Sequence, residues 1–174
     1  MRDHEAGRTT DHPPGGAFSD RPRGFLKFFF KMPLFLHKVG IVWWIEKFTG
    51  AQWMLITTTG RKSGKPRQVI VDVVDYDKET NTFYVEAAYG HRADWVRNIQ
   101  ANPDFRAQVG KRKFAARAEF LPSEIAEEKL VVLVRKAPKY ARAVMAMAGL
   151  KYRDEAELRA LARNMVMLAI RSQG

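Results

Sequence analysis

The chain has 174 residues, 46% hydrophobic and 28% charged, a length and balance that fit one folded domain around one core rather than a disordered chain. It contains no cysteine, so disulfides, thiolate metal sites, iron–sulfur clusters and cysteine nucleophiles are excluded, and a reducing, cytoplasmic setting is the expectation. The net charge of +11 lies wholly in residues 24–174, because the basic and acidic side chains of residues 1–23 cancel; such a field attracts phosphates, polycarboxylates or anionic lipid heads.

Residues 1–23 set Pro13, Pro14, Gly15, Gly16 and Pro22 among polar groups, without apolar periodicity or the apolar core of a secretory signal, and are expected to be a disordered tail. The composition then flips. Residues 24–50 form an apolar and basic helical segment, in which Lys27, Lys31, Lys38, Glu46 and Lys47 interrupt a crowd of Phe, Leu, Ile, Val and Trp. No uninterrupted run approaches the roughly 20 residues of a spanning helix, and Pro33 divides the segment into two pieces. The stretch 24–48 reads in two ways: as an interfacial helix making peripheral contact with the inner face of the cell membrane, or as a cover that packs across the domain or pairs with its copy in a homodimer.

From Trp53 the texture is that of strands. WMLITTT is one strand, Gly60 to Pro66 is turn material, and Arg67 to Tyr76 completes a hairpin ending at a DKETN turn. A third strand, Thr82 to Ala88, leads through Tyr89-Gly90 to a short helix that Asp94 is expected to cap and Asn102-Pro103 to stop. Phe105 to Val109 and Lys113 to Phe120 form a second hairpin around Gly110. Beyond Pro122 the pattern turns helical: one helix to about Lys136, a break at Pro138, an apolar piece from Val144 to Leu150, and a last helix from about Asp154 to Arg171. Residues 51–136 thus read as a barrel-like domain and residues 137–174 as C-terminal helices packed on it. The class is α+β: an antiparallel sheet of five or six strands that curls on itself, flanked by helices. A doubly wound nucleotide fold is disfavoured, since no G-x-G-x-x-G follows a strand and no P-loop pattern occurs. The high pI of about 10.1 suggests nucleic acid, but no recognition helix or stacking motif accompanies it, so no nucleic-acid partner is expected.

Two segments could carry chemistry. The first, Thr57 to Arg67 (TTTGRKSGKPR), places hydroxyls, glycine-freed amides and four cations within one turn, the ingredients of a phosphate cradle. It also reads as a solvated basic turn. The second, Ala87 to Pro103, brings small residues at a strand end, a glycine and a helix N-terminus together, where a flat ring or a phosphate can rest. Its other reading makes Trp95 and Ile99 core residues at helical i, i+4 spacing, with Asn98 facing water.

In order and spacing, TTTGRKSGKPR, a strand pair, a small-residue strand end, DWVRNIQANP and a basic hairpin resemble the deazaflavin-dependent nitroreductase family over about residues 50–136. The resemblance implies a split β-barrel of the flavin-reductase, FMN-binding type. It also implies a coenzyme, the deazaflavin F-420, whose phosphate and acidic oligoglutamate tail meet the basic turn. Carried over by position, Thr58, Arg61, Lys62, Ser63, Lys65 and Arg67 hold the phosphate side, while Ala87, Ala88, Tyr89, Gly90, Trp95 and Asn98 border the ring. The activity implied is reduction of a small flat electrophile, such as a quinone or nitro compound, with no metal required. The serine that better-characterised members place near the ring is missing from AAYGHRADW, and the tyrosines of their C-terminal segment have no aligned counterpart in Tyr140 or Tyr152. Tyr89 and His91 are therefore the catalytic candidates for proton donation by location. The alternatives are the same fold working with FMN, and a non-enzymatic cofactor- or lipid-binding protein at a membrane surface.

Overall fold

A computed structural model describes residues 52–87, 89–147 and 150–173; the expected tail, the segment 24–48 and Ala88 lie outside the described residues. Six strands make a closed barrel: β1 (Gln52–Thr59), β2 (Pro66–Asp77), β3 (Thr82–Ala87), β4 (Asp104–Val109), β5 (Arg112–Phe120) and β6 (Val166–Ser172). Around the wall they run β1-β2-β3-β6-β5-β4, and every neighbouring pair is antiparallel. Four helices flank it: α1 (Asp94–Ala101), α2 (Ser123–Lys136), α3 (Pro138–Met147) and α4 (Glu155–Arg163). Among the described residues no helix is long and apolar enough to cross a membrane.

Alternation along each strand decides what fills the barrel. Met54 and Ile56 of β1, Val71 and Val73 of β2, Phe83, Val85 and Ala87 of β3, and Val166, Leu168 and Ile170 of β6 point inward and form one core. Trp95, Val96 and Ile99 of α1 join it, so this short helix packs into the same core as the strands. A bulge shifts the β2–β3 register between Val73 and Asp75 and puts Val74 in the second apolar layer, where α2, α4 and Met167 pack outside the barrel. Tyr76 stacks on Phe83 with ring centroids 4.3 Å apart, which continues the inner core past the bulge.

The structure corrects two of the sequence expectations. The last helix stops at Arg163, and residues 166–172 are strand β6, which pairs with both β3 and β5 and closes the barrel. Residues 165–170 are all buried, because one face lines the barrel and the other lies under the helices. A strand covered on both faces reads as an unbroken apolar run, which periodicity alone does not distinguish from a buried helix. Asp94 does not cap α1: Ala93 occupies that position without a side-chain bond, and the Asp94 carboxylate is engaged elsewhere. The break at Pro138 is real, and α3 begins on that proline, whose missing N–H costs nothing in a first turn.

Candidate active site

The basic turn between β1 and β2 is held by its own backbone. Gly60 N donates to Lys65 O at 2.9 Å, and Ser63 N and Gly64 N both donate to Gly60 O, at 3.1 and 2.8 Å. A Cβ on Gly60 would lie 2.8 Å from Ser63 Oγ and 3.1 Å from the Lys65 carbonyl, so the turn closes this tightly only around glycine; Gly64 stands at φ +65°. Arg61 then reaches back to α1. Its backbone N donates to Asn98 Oδ1 at 3.2 Å, its Nη1 to the same oxygen at 3.1 Å, and its Nη2 pairs with Asp94 Oδ1 at 3.0 Å. Asn98 Nδ2 donates to Thr58 Oγ1 at 3.1 Å, and the Thr58 hydroxyl donates to Arg67 O at 3.4 Å.

This bracket joins the two motifs that the sequence keeps some forty residues apart. It also divides their roles. Thr58 and Asn98 are 1% and 3% exposed, and their polar atoms are spent fixing the turn from behind. Lys62, Ser63, Lys65 and Arg67 stand exposed on its outer side. Ser63 Oγ accepts from Lys65 N and Arg67 Nη2, at 3.4 and 3.5 Å, and neither lysine meets a carboxylate among the described residues.

The strand-end residues separate. Ala87 and Trp95 lie in the barrel core, the packing that the i, i+4 spacing of Trp95 and Ile99 allows, and Asn98 does not face water. Gly90, at φ +53°, opens a single 3-10 turn over Gly90–Arg92. Tyr89 is half-buried against the core, and burial pushes its phenol above the usual tyrosine range. The His91 ring rests on Phe120, with centroids 5.4 Å apart, and its Nδ1 is 3.5 Å from Gln100 Nε2.

Two features escaped the sequence reading. One is a groove of about 470 Å³ on the outer wall, lined among others by Leu55, Thr57, Gln68, Arg106 and Lys113. Thr57 and Gln68 face each other across the β1–β2 ladder two residues from the basic turn, so groove and turn adjoin. The other is a row across the outer faces of β1, β2 and β3. Trp53 pairs with Asp72, Glu86 with Met167, and Glu86 lies one rung beyond the Val73–Val85 pair, opposite Asp72. Tyr140 of α3 comes down on this row: its hydroxyl donates to Asp72 Oδ1 and accepts from Trp53 Nε1 at 3.0 Å. Burial raises Asp72 above the ordinary carboxylate range, with the Tyr140 and Trp53 donors restraining the rise. Glu86 is pushed up to about 8 by burial and by Asp72, and its Oε1 is shielded from water without a hydrogen-bond partner among the described residues. Burial and Asp72 hold the Tyr140 phenol well above its usual range, so it stays a donor. The sequence signal for this row was an acid within each of two apolar strands, VIVDVV and FYVEA, where alternation sends both to the outer wall.

Comparison with known proteins bears on the whole of this arrangement. Among solved structures, an F420-H2 dependent reductase (FDR-A) is 25% identical, with a TM-score of 0.44 over 69% of this chain and 93% of that one. A chain described as a domain-swapped dimer is 24% identical, with a TM-score of 0.44 over 69% of this chain and 79% of its own. A pyridoxamine 5'-phosphate oxidase-related, FMN binding protein from Nostoc punctiforme is 13% identical, with a TM-score of 0.47 over 69% and 70%. No curated protein matches the sequence. The family model described as F420H(2)-dependent quinone reductase matches residues 38–148, well over half of the chain and the whole of the bracketed turn, α1 and the outer row. The chain therefore belongs to the F420H(2)-dependent quinone reductase family, and is an oxidoreductase whose coenzyme is the deazaflavin F420.

Proposed function

We propose that the chain transfers a hydride from reduced F420 to a small flat electrophile, a quinone or a nitro compound, on the outer wall of the barrel. One observation carries this reading: Lys62, Lys65 and Arg67 stand without carboxylate partners among the described residues, on a turn fixed from behind by Arg61 and Asn98, and the turn opens onto a groove with further cations. The residues present fit a phosphate-bearing, acidic coenzyme. The two ammonium groups, the Arg67 guanidinium and the Ser63 hydroxyl would hold the phosphate, and Arg106 and Lys113 would meet the acidic tail. When bound, the reduced deazaflavin supplies the hydride.

The chain's own contribution is position and field. Because the bracket uses hydrogen bonds that need no ligand, the turn is shaped before anything binds, and little ordering entropy is lost on binding. Leu55 and Ile70, paired across the ladder between the basic turn and the Trp53–Asp72 rung, give a flat ring an apolar wall. Side-by-side titration of cofactor-free protein with F420 and with FMN, followed by Trp fluorescence, tests the reading. F420 should bind at least about tenfold more tightly. Preference for FMN would keep the fold and change the coenzyme, and binding of neither would remove the redox role.

A further inference from the structure

The β1–β2 wall changes character rung by rung below the basic turn. Thr59 and Pro66 close on the turn itself, Thr57 faces Gln68 on the next outward rung, and Leu55 faces Ile70 on the one after. Outward rungs lie two residues apart, about 7 Å. A cationic end and an apolar end are thus joined by one neutral polar pair, and Thr57, Gln68 and Leu55 all line the groove. That pair has hydrogen bonds to spare. Gln68 Nε2 donates to Thr57 Oγ1 at 3.4 Å, and neither side chain has another partner among the described residues. The Thr57 O–H and the second Gln68 N–H remain as donors, and Gln68 Oε1 remains as an acceptor beside them. The rest of the groove differs: Gln108 commits its Nε2 to Gly110 O at 2.8 Å, and Arg106 and Lys113 can only donate.

Donors and an acceptor set side by side complement a run of hydroxyls, each of which gives one hydrogen bond and takes another. On an open sheet a Thr–Gln pair is merely solvated, but here it lies in a groove between two unlike ends, each suited to a different part of one ligand. Resting on the deazaflavin reading of the groove, we propose that Thr57 and Gln68 form a polyol subsite, which binds the hydroxyl-bearing chain between the ring and the phosphate of the coenzyme. The lengths agree. With the phosphate at the turn and the ring on the Leu55–Ile70 rung, the chain has to cross the Thr57–Gln68 rung between them. A five-carbon chain with its ester oxygen, at about 1.5 Å per bond, spans roughly 9 Å when extended. That is more than one rung step of about 7 Å and less than two. The pair therefore fixes how far along the wall the ring lies, and an unadorned chain of the same length would leave it free to slide.

The test uses the full chain, F420 itself and two synthetic esters, deazaflavin ribityl phosphate and deazaflavin pentyl phosphate. The esters share ring and phosphate and differ only in the hydroxyls of the chain. Wild type should bind the ribityl ester about tenfold more tightly, the net worth of one or two hydrogen bonds. That preference should fall to about twofold in Gln68→Leu and in Thr57→Val, and should survive in Thr57→Ser, which keeps the hydroxyl. Affinity for the pentyl ester should stay the same in all of them, because the basic turn and the apolar rung are untouched. Gln68 is exposed and Thr57 half-buried, so the variants keep the core intact, and an unmoved unfolding midpoint checks this. Equal binding of the two esters by wild type, or a preference that survives both Gln68→Leu and Thr57→Val, would overturn the polyol subsite alone. Failure of the wild type to bind F420 at all would overturn the reading of the groove and the subsite with it.

Discussion

The barrel holds its helices in two chemically different ways. At the α1 end, the contact to the β1–β2 turn is made by an amide, a hydroxyl, backbone groups and a guanidinium, with one exposed carboxylate, Asp94, at its edge. On the α2–α3 side, the contacts run through carboxyls: Asp72 under Tyr140, and Asp75 between Lys129 at 3.0 Å and Lys136 at 2.6 Å. The first set is mostly uncharged amide, hydroxyl and backbone groups, while the second is built on carboxyls that their surroundings shift. The end that presents cations to a phosphate is thus held chiefly by uncharged groups, while the side under α2 and α3 is held through carboxyls.

The largest effect that separates the two is expected at Asn98. Asn98→Ala removes the acceptor for Arg61 and the donor to Thr58, leaving buried polar groups unpaired, and should cost about 3 kcal/mol. Urea unfolding at neutral and at mildly acid pH should give the same loss; a loss that shrinks in acid would show that Asp94 carries the bracket. A smaller effect, about 1 kcal/mol at neutral pH, is expected for Asp75→Asn, because Lys136 is largely exposed and screened by water. Burial alone would raise Asp75, but the two ammonium groups outweigh it and hold the carboxyl below its usual range. Its contribution is therefore present above the unfolded-state carboxylate value and lost as pH falls through the depressed folded value. The difference between wild type and Asp75→Asn should close in acid, and a difference that persists there would place the effect in packing rather than charge.

Much of this was legible in the residues. Alternation and turn chemistry gave both hairpins, and TTTGRKSGKPR together with DWVRNIQANP gave the family before any contact was seen. What stayed hidden depends on covering. MVMLAI is apolar at every position because it is buried on both faces, so its strand identity emerges only once β3 and β5 flank it. Asp94 has the residue type of a helix cap, and a long-range partner, Arg61, outcompeted the local role. Thr58 was read with the cations of the phosphate side and Asn98 beside the ring, and no local pattern says that an amide forty residues away will satisfy a threonine. The Asp72–Glu86 pair could have been suspected from an acid within each of two apolar strands, but opposition across the ladder requires the bulge that sets the β2–β3 register.

The central claim is that the exposed cations of the bracketed turn hold the coenzyme phosphate. It is tested most directly by titrating F420 into wild type and into Lys62→Ala/Lys65→Ala, with the unfolding midpoint of each measured in parallel. The account predicts binding weaker by about 10- to 100-fold, the loss of two charge-assisted contacts, with the midpoint unmoved because neither lysine takes part in the bracket. Wild-type affinity in the folded double variant would contradict it and put the phosphate elsewhere on the wall.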